Sequence, residues 1–319
     1  MPTLRNLVAL AVAAATMTLA PSAHAAYPDR PIKMIVPFPA GGSADLIARV
    51  LSDLLGKKLG VSVVVENRPG ASGTLGMTLL TRAASDGYTL ASTVSEPLAI
   101  NPHTSKVSPI DVDKSVEPLA LVARTNFVLL TSKTFAADDL QGVLKLARQK
   151  PDAVSIGSYG IAEMFISELE YETGTKFLRV PYQGAAPAIA AVMGSQVDVT
   201  IVATSTALAA AGRVKLIAVG GNVQLAKLPG VKTFAQQGLP KYKISNWSAV
   251  VAPQGLPPEV RAVLTPAIEA VVRSDEFKAR MSAVDIEAEY GGPEELKALM
   301  RDDSARWRKV VKEMQIPLN

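Results

Sequence analysis

Side chains able to do covalent or acid–base chemistry are scarce in this sequence. It contains no cysteine and two histidines, His24 and His103. A serine nucleophile needs a base, normally a histidine, and His103 stands in the polar run NPHTSK. A zinc site would need further His or Cys ligands beside it. The acidic pairs Asp138–Asp139 and Glu294–Glu295 fall at expected helix starts, where carboxylates complement the helix dipole. GASGTLG (70–76) spaces its glycines G-x-x-G-x-x-G. That is neither the dinucleotide fingerprint nor a phosphate loop ending in Gly-Lys-Ser/Thr. The sequence therefore calls for no catalysis, no metal and no cofactor.

What remains is chemistry done by the backbone. VPFPAGGSAD (36–45) and VPYQGAAPAI (180–189) share one plan: an apolar strand end, a Pro-aromatic corner, a small-residue loop and a helix start. In open α/β sheets ligands bind beyond the carboxyl ends of the strands. A helix N-terminus there carries about half a positive charge and several unpaired N–H groups, so it can hold an anion without lysine or arginine. Gly41, Gly42 and Gly184 let the main chain approach a ligand closely, and Pro39 and Pro187 stiffen the loops. The expected binding residues are Phe38, Ala40, Gly41, Gly42 and Ser43 in the first loop. In the second they are Tyr182, Gln183, Gly184, Ala185 and Ala186. Ser43 is also placed to cap the following helix. Ser95, Ser158, Tyr159 and Thr204 stand at other expected strand ends and are read as side-chain contacts.

The elements that position these loops follow from periodicity. PIKMIVPF (31–38) reads as a buried strand, and Leu46, Ile47, Val50, Leu51, Leu54 and Leu55 form a helical apolar stripe that stops at Gly60. VSVVVEN (61–67) is the next strand, which implies a parallel sheet with a right-handed crossover. A helix over 74–84 and a strand from DGYTLAST follow. PLALVARTNFVLLTS (118–132) is too long and apolar for one ordinary strand, and reads as a crossing into a second α/β unit. Trp247 opens WSAVVAPQG (247–255), the return crossing, and is read as a packing residue at the hinge. Helices from Pro258 to Val272, near Asp275–Met281 and from Pro293 to Met314 then complete the first unit. The domains expected are 27–124 with 246–319, and 125–245, closing around a cleft.

Composition narrows the setting. Hydrophobic residues make up 48% and charged ones 19%, which is globular. The net charge of +4 is scattered without a basic stripe, which argues against nucleic-acid binding. Residues 1–26 carry Arg5, an apolar stretch from Leu7 to Ala20, and Ala23-His24-Ala25, the pattern of a secretory signal peptide cleaved near Ala25/Ala26. Its removal would leave His103 as the single histidine of a soluble, periplasmic protein.

Several stretches carry a family resemblance. YPDRPIKMIVPFPAGGSADLIAR (27–49), VVVENRPGASGTLG (63–76), DGYTL (86–90), VPYQGAAPAIAAVMGSQVD (180–198), LPGVKTFAQQGLP (228–240) and WSAVVAPQGLP (247–257) resemble the Bug (TctC-like) receptors of the tripartite tricarboxylate transporter system. The resemblance implies a two-lobed, type II-like Venus flytrap with two crossover strands, and no enzymatic activity. It implies a small organic carboxylate gripped by main-chain groups of Phe38–Ser43 and Tyr182–Pro187, with Asp45 and Arg49 as support. An inner-membrane permease is the implied partner and a monomer the implied state. A receptor that presents its ligand to a sensor kinase is the alternative. Departures fall in the distal cleft: Glu163 and Met164 replace small polar residues and a histidine, and Arg179 and Gln183 stand where histidine and lysine are usual. IVATSTALAAAG (201–212) is abbreviated there too.

Overall fold

A computed structural model describes residues 27–105, 110–221, 227–242 and 244–313. The expected signal peptide and Met314 lie outside these residues. The chain starts with β1 (Ile32–Val36), α1 (Ser43–Leu59), β2 (Val63–Asn67), α2 (Thr74–Thr81) and β3 (Thr89–Val94). β1 pairs in parallel with both β2 and β3, Ile32 opposite Val63 and Met34 opposite Leu90. α1 buries Ile47, Leu51, Leu54 and Leu55 against the sheet, with Asp45 in its first turn and Lys57 and Lys58 in its last. Gly60 ends it in the left-handed region, at φ 74°, where its N–H reaches the Gly56 carbonyl.

After β3 the chain forms a wide helical turn over Glu96–Ile100, closed by the Asn101 N–H on the Glu96 carbonyl five residues back, and then α3 (Asn101–Thr104) and α4 (Val112–Ser115). The polar run NPHTSK thus holds a short helix. β4 (Val116–Ser132) is the central element. Its 17 residues reach about 55 Å at the usual rise per residue, enough to run through two lobes. The second lobe adds α5 (Leu140–Gln149), β5 (Ser155–Ser158), α6 (Gly160–Thr173), β6 (Leu178–Pro181), α7 (Ala185–Met193), β7 (Val199–Ala203), α8 (Thr204–Ala209) and β8 (Val214–Val219). β9 (Ser245–Pro253) returns, followed by α9 (Pro258–Arg273), α10 (Asp275–Ala283), β10 (Glu287–Gly291) and α11 (Pro293–Glu313).

The sheet order β2-β1-β3-β9-β4-β7-β5-β6 shows how the crossings work. From Val116 to Asn126, β4 pairs antiparallel with β9; from Phe127 onward it pairs with β7 and β8 instead. β10 pairs with the first-lobe half of β4. Its sequence EAEYG is polar and gives no strand signal, because only the ladder to β4 defines it.

Each lobe buries helices on both sheet faces. In the first, Ile32, Met34, Ile47 and Leu51 pack with Leu264, Ile268 and Phe277, and Ile35, Met77 and Leu80 pack with Trp247 and Leu296 on the other face. In the second, Val143, Ile156, Phe165 and Ile201 form one core and Val128, Leu130, Val192 and Val202 another. α11 belongs to both lobes. Leu296 and Met300 lie in the first lobe, while Trp307, Val310 and Val311 join Phe165 in the second. The sequence reading assigns this helix wholly to the first unit, since an apolar stripe does not say which core receives it. Among the described residues no helix is long and apolar enough to cross a membrane.

Candidate functional site

The first Pro-aromatic corner is built as its residue types require. β1 stops at Pro37, and Gly41 turns the chain at φ 87°, a conformation that favours glycine. The N-cap of α1 is Gly42, in extended backbone at φ −80° and ψ 171°, and no side chain caps the helix. Ser43 is the first helical residue and not the cap, so its hydroxyl does not take the role expected of it.

Asp45 fastens the loop from beneath. Its Oδ2 accepts the Gly41 N–H at 2.9 Å and the Arg49 Nε–H at 2.9 Å, and its Oδ1 accepts Asn67 Nδ2–H at 2.9 Å. Asn67 Nδ2 also donates to the Phe38 carbonyl at 3.1 Å. The Gly41 amide is therefore engaged inside the protein, a correction to its expected place among the open donors. Burial pushes the Asp45 carboxyl up, but hydrogen bonds from Arg49, Gly41 and Asn67 and the Arg49 charge outweigh it and hold it below its usual range. Such a depressed carboxyl stabilises the fold above its unfolded-state pKa, and the contribution is lost as pH falls through the folded value. Asp45→Asn is expected to cost about 2 kcal/mol at neutral pH. In urea unfolding, the gap from the natural protein should close below about pH 3.8.

The second corner repeats the plan. β6 ends at Pro181, the Tyr182 N–H donates to the Ser158 carbonyl at 2.8 Å, and Gly184, at φ 131°, is the N-cap of α7, again without a side-chain cap. A third opening lies beside it, where Ser158 ends β5 and Tyr159 is the N-cap of α6. Burial pushes the Tyr159 phenol up, so it is a neutral donor at ordinary pH.

A cavity of about 810 Å³ takes walls from both lobes. Phe38, Ser72, Glu96, Ile100 and Asn101 come from the first; Ser158, Tyr159, Gly160, Glu163, Met164, Arg179 and Tyr182 come from the second. Of the residues expected to bind, Phe38, Ser158, Tyr159 and Tyr182 meet in this wall. Ala40, Gly41, Gly42 and Ser43 follow Phe38 as an exposed loop, and Gln183, Gly184, Ala185 and Ala186 follow Tyr182 as exposed or half-buried backbone; none of them forms the wall itself.

Two expected contacts are elsewhere. Ser95 is buried, and both its N–H and its hydroxyl donate to Asn246 Oδ1, at 3.1 and 2.8 Å, on the return crossing. Thr204 is buried too, its hydroxyl 3.5 Å from the Asp285 carbonyl of the first lobe. A strand end gives the right edge of the sheet, but the side chain's direction there depends on what the neighbouring element offers. His103 also stays out of the wall, with Nε2 2.7 Å from Ser304 Oγ on α11. Trp247 is buried at the crossing and donates from Nε1 to Asp303 Oδ2 at 2.9 Å. Among the described residues no cluster of His, Cys, Asp or Glu could hold a metal ion.

The charged part of the wall is closely paired. Arg179 donates to Glu163 at 2.6 Å, to Ser167 Oγ at 3.1 Å and to Glu170 at 2.7 Å. Lys176 lies 3.6 Å from Glu170, whose other oxygen accepts the Phe177 N–H. Glu96 and Ser72 escape the sequence reading. Glu96 stands next to the expected contact Ser95, and its isolation among apolar residues in SEPLAI is the one signal that could have found it.

Comparison with known proteins agrees with this architecture. The family described as the tripartite tricarboxylate transporter family receptor matches residues 47–316. Protein BugT of Bordetella pertussis is 32% identical over 300 residues, covering 92% of each chain. The periplasmic binding protein BugD superposes with a TM-score of 0.77 at 29% identity, over 91% of this chain and 99% of that one. MatC of Rhodopseudomonas palustris, solved with bound malate, gives a TM-score of 0.76 at 26% identity over 89% of this chain and 100% of its own. The two-lobed α/β architecture is thus shared, and the chain belongs to the tripartite tricarboxylate transporter receptor family of periplasmic solute-binding proteins.

Proposed function

We propose that this protein captures a small organic carboxylate between its lobes and delivers it to an inner-membrane permease of the tripartite tricarboxylate type. The supporting observation is the cavity of about 810 Å³ walled by Phe38 and Tyr182, the aromatic corners of the two matched loops. The uncapped first turns of α1 and α7 supply main-chain donors for the anion without a cationic side chain. Closing the lobes removes water and strengthens those hydrogen bonds. The protein acts as a carrier, exported by its N-terminal segment and working as a monomer, with no reaction at the site.

Calorimetry with matched acids and primary amides tests the anion requirement. The amide should bind about tenfold to about 150-fold more weakly, since charge-assisted hydrogen bonds are worth about 1.5–3 kcal/mol. Equal affinities would rule out a main-chain carboxylate site.

A further inference from the structure

Among the described residues, the wall of the cleft holds three carboxylates, Glu96, Glu163 and Glu170, and two cations, Lys176 and Arg179. Arg179 and Lys176 face Glu163 and Glu170, and their ion pairs account for both cations. Glu96 is left over. It starts the wide turn after β3, and such turns recur at functional sites. Its Oε2 accepts Asn246 Nδ2–H at 2.8 Å, and among the described residues no lysine, arginine or histidine pairs with it. It is part-exposed because it faces the cavity; otherwise protein encloses it, and this desolvation pushes its carboxyl up. Asp303 adds a like charge behind it. The turn also adjoins the first anion loop: a Cβ on Gly73 would meet Phe38 Cζ at 3.1 Å and Pro97 Cγ at 3.2 Å.

A largely enclosed carboxylate without a counter-ion is costly to keep ionised, so it takes up either a proton or a cation. From across the cavity, in the second lobe, Glu163 presents another carboxylate, whose only ion-pair partner among the described residues is Arg179. A second carboxylate on the ligand would meet Glu96 with no free cation among the described residues of the wall to offset the repulsion. A protonated amine or quaternary ammonium would instead give Glu96 the partner it lacks.

From these contacts we infer that the ligand is a monocarboxylate with a cationic nitrogen at its other end, that nitrogen being held by Glu96 and approached by Glu163 as the lobes close. This rests on the carboxylate-binding reading above and adds to it the charge at the far end. It also separates this protein from a dicarboxylate receptor such as MatC with its malate.

The test is calorimetry with three series of equal chain lengths, from about four to about eight carbons: ω-amino carboxylates with α-amino acids, α,ω-dicarboxylates, and simple alkanoates. At least one amino carboxylate should bind about tenfold or more tightly than the dicarboxylate and alkanoate of its length. Glu96→Gln keeps an acceptor for Asn246 but loses the charge. It should weaken amino-carboxylate binding about tenfold while leaving alkanoate binding within about twofold, which also reports that the site remains folded. Dicarboxylates binding as well or better would overturn the inference and show Glu96 as a protonated donor, with the carboxylate site intact. So would an amino-carboxylate preference unchanged in Glu96→Gln. If no acid of any series binds, the carboxylate reading itself falls and takes this inference with it.

Discussion

Arg306→Met should lower stability at pH 8 by about 3–5 kcal/mol, the usual cost of stripping one partner from a buried ion pair. Arg306 on α11 donates from Nη1 to Glu168 at 2.5 Å and from Nη2 to Asp303 at 2.8 Å, with its guanidinium 4.6 Å from the Trp307 ring centroid. Asp303 also accepts the Trp247 indole N–H. This cluster ties α11 to α6 and to the return crossing, so it joins both lobes. Methionine fills similar space but leaves Glu168 and Asp303 without the cation. In a domain of this size each kcal/mol moves the Tm by roughly 2–4 °C, so thermal scans should show a loss near 10 °C.

The pH dependence identifies the group responsible. Glu168 has one oxygen without a partner, and burial, opposed by the Arg306 charge, pushes its carboxyl up from 4.5 to about 7. A carboxyl raised in the folded state binds a proton there that the unfolded chain has released. Stability therefore falls as pH rises between about 4.5 and 7, by up to about 3 kcal/mol. Glu168→Gln should flatten the profile over that window and match or exceed the natural protein at pH 8, because Asp303 still balances Arg306. The Arg306→Met loss should shrink at pH 5, where Glu168 is protonated. Equal losses at both values would mean that Glu168 carries no uncompensated charge.

Gly42→Val should abolish measurable carboxylate binding and leave the fold unchanged. At φ −80° and ψ 171° Gly42 has a conformation open to any residue, and a Cβ there meets only Pro39 O at 3.8 Å. Gly41 would be the wrong choice, because its φ of 87° would add strain to any substitution. Valine at 42 puts three carbons over the first turn of α1, where the anion is to sit. Ligand at about 100 times its Kd adds roughly 2.7 kcal/mol of stability to the natural protein. The variant should show no such shift and an affinity at least about a hundredfold lower. An unchanged thermal shift would remove this loop from the site.

The βα units were legible in the sequence because Ile47, Leu51 and Leu55 recur at helical intervals in α1, a spacing that no strand shows. The two crossings were legible because a run as long and apolar as Pro118–Ser132 has few other uses. Phe38 and Tyr182 could be paired because their loops repeat one pattern of residue types. Ser95 and Thr204 were misplaced because a serine or threonine at a strand end satisfies whichever acceptor folds against it, here Asn246 and the Asp285 carbonyl.

By itself, then, the sequence determined the local units and their order, since periodicity, glycine and proline act over a few neighbouring residues. It also shows no cation in either loop, so an anion held there would have to be held by backbone. Tertiary structure alone decided that Asp45 takes the Gly41 amide, that α11 joins both lobes, and that Glu96 faces the cleft without a counter-ion among the described residues. Those outcomes depend on contacts between elements whose relative placement no local pattern encodes.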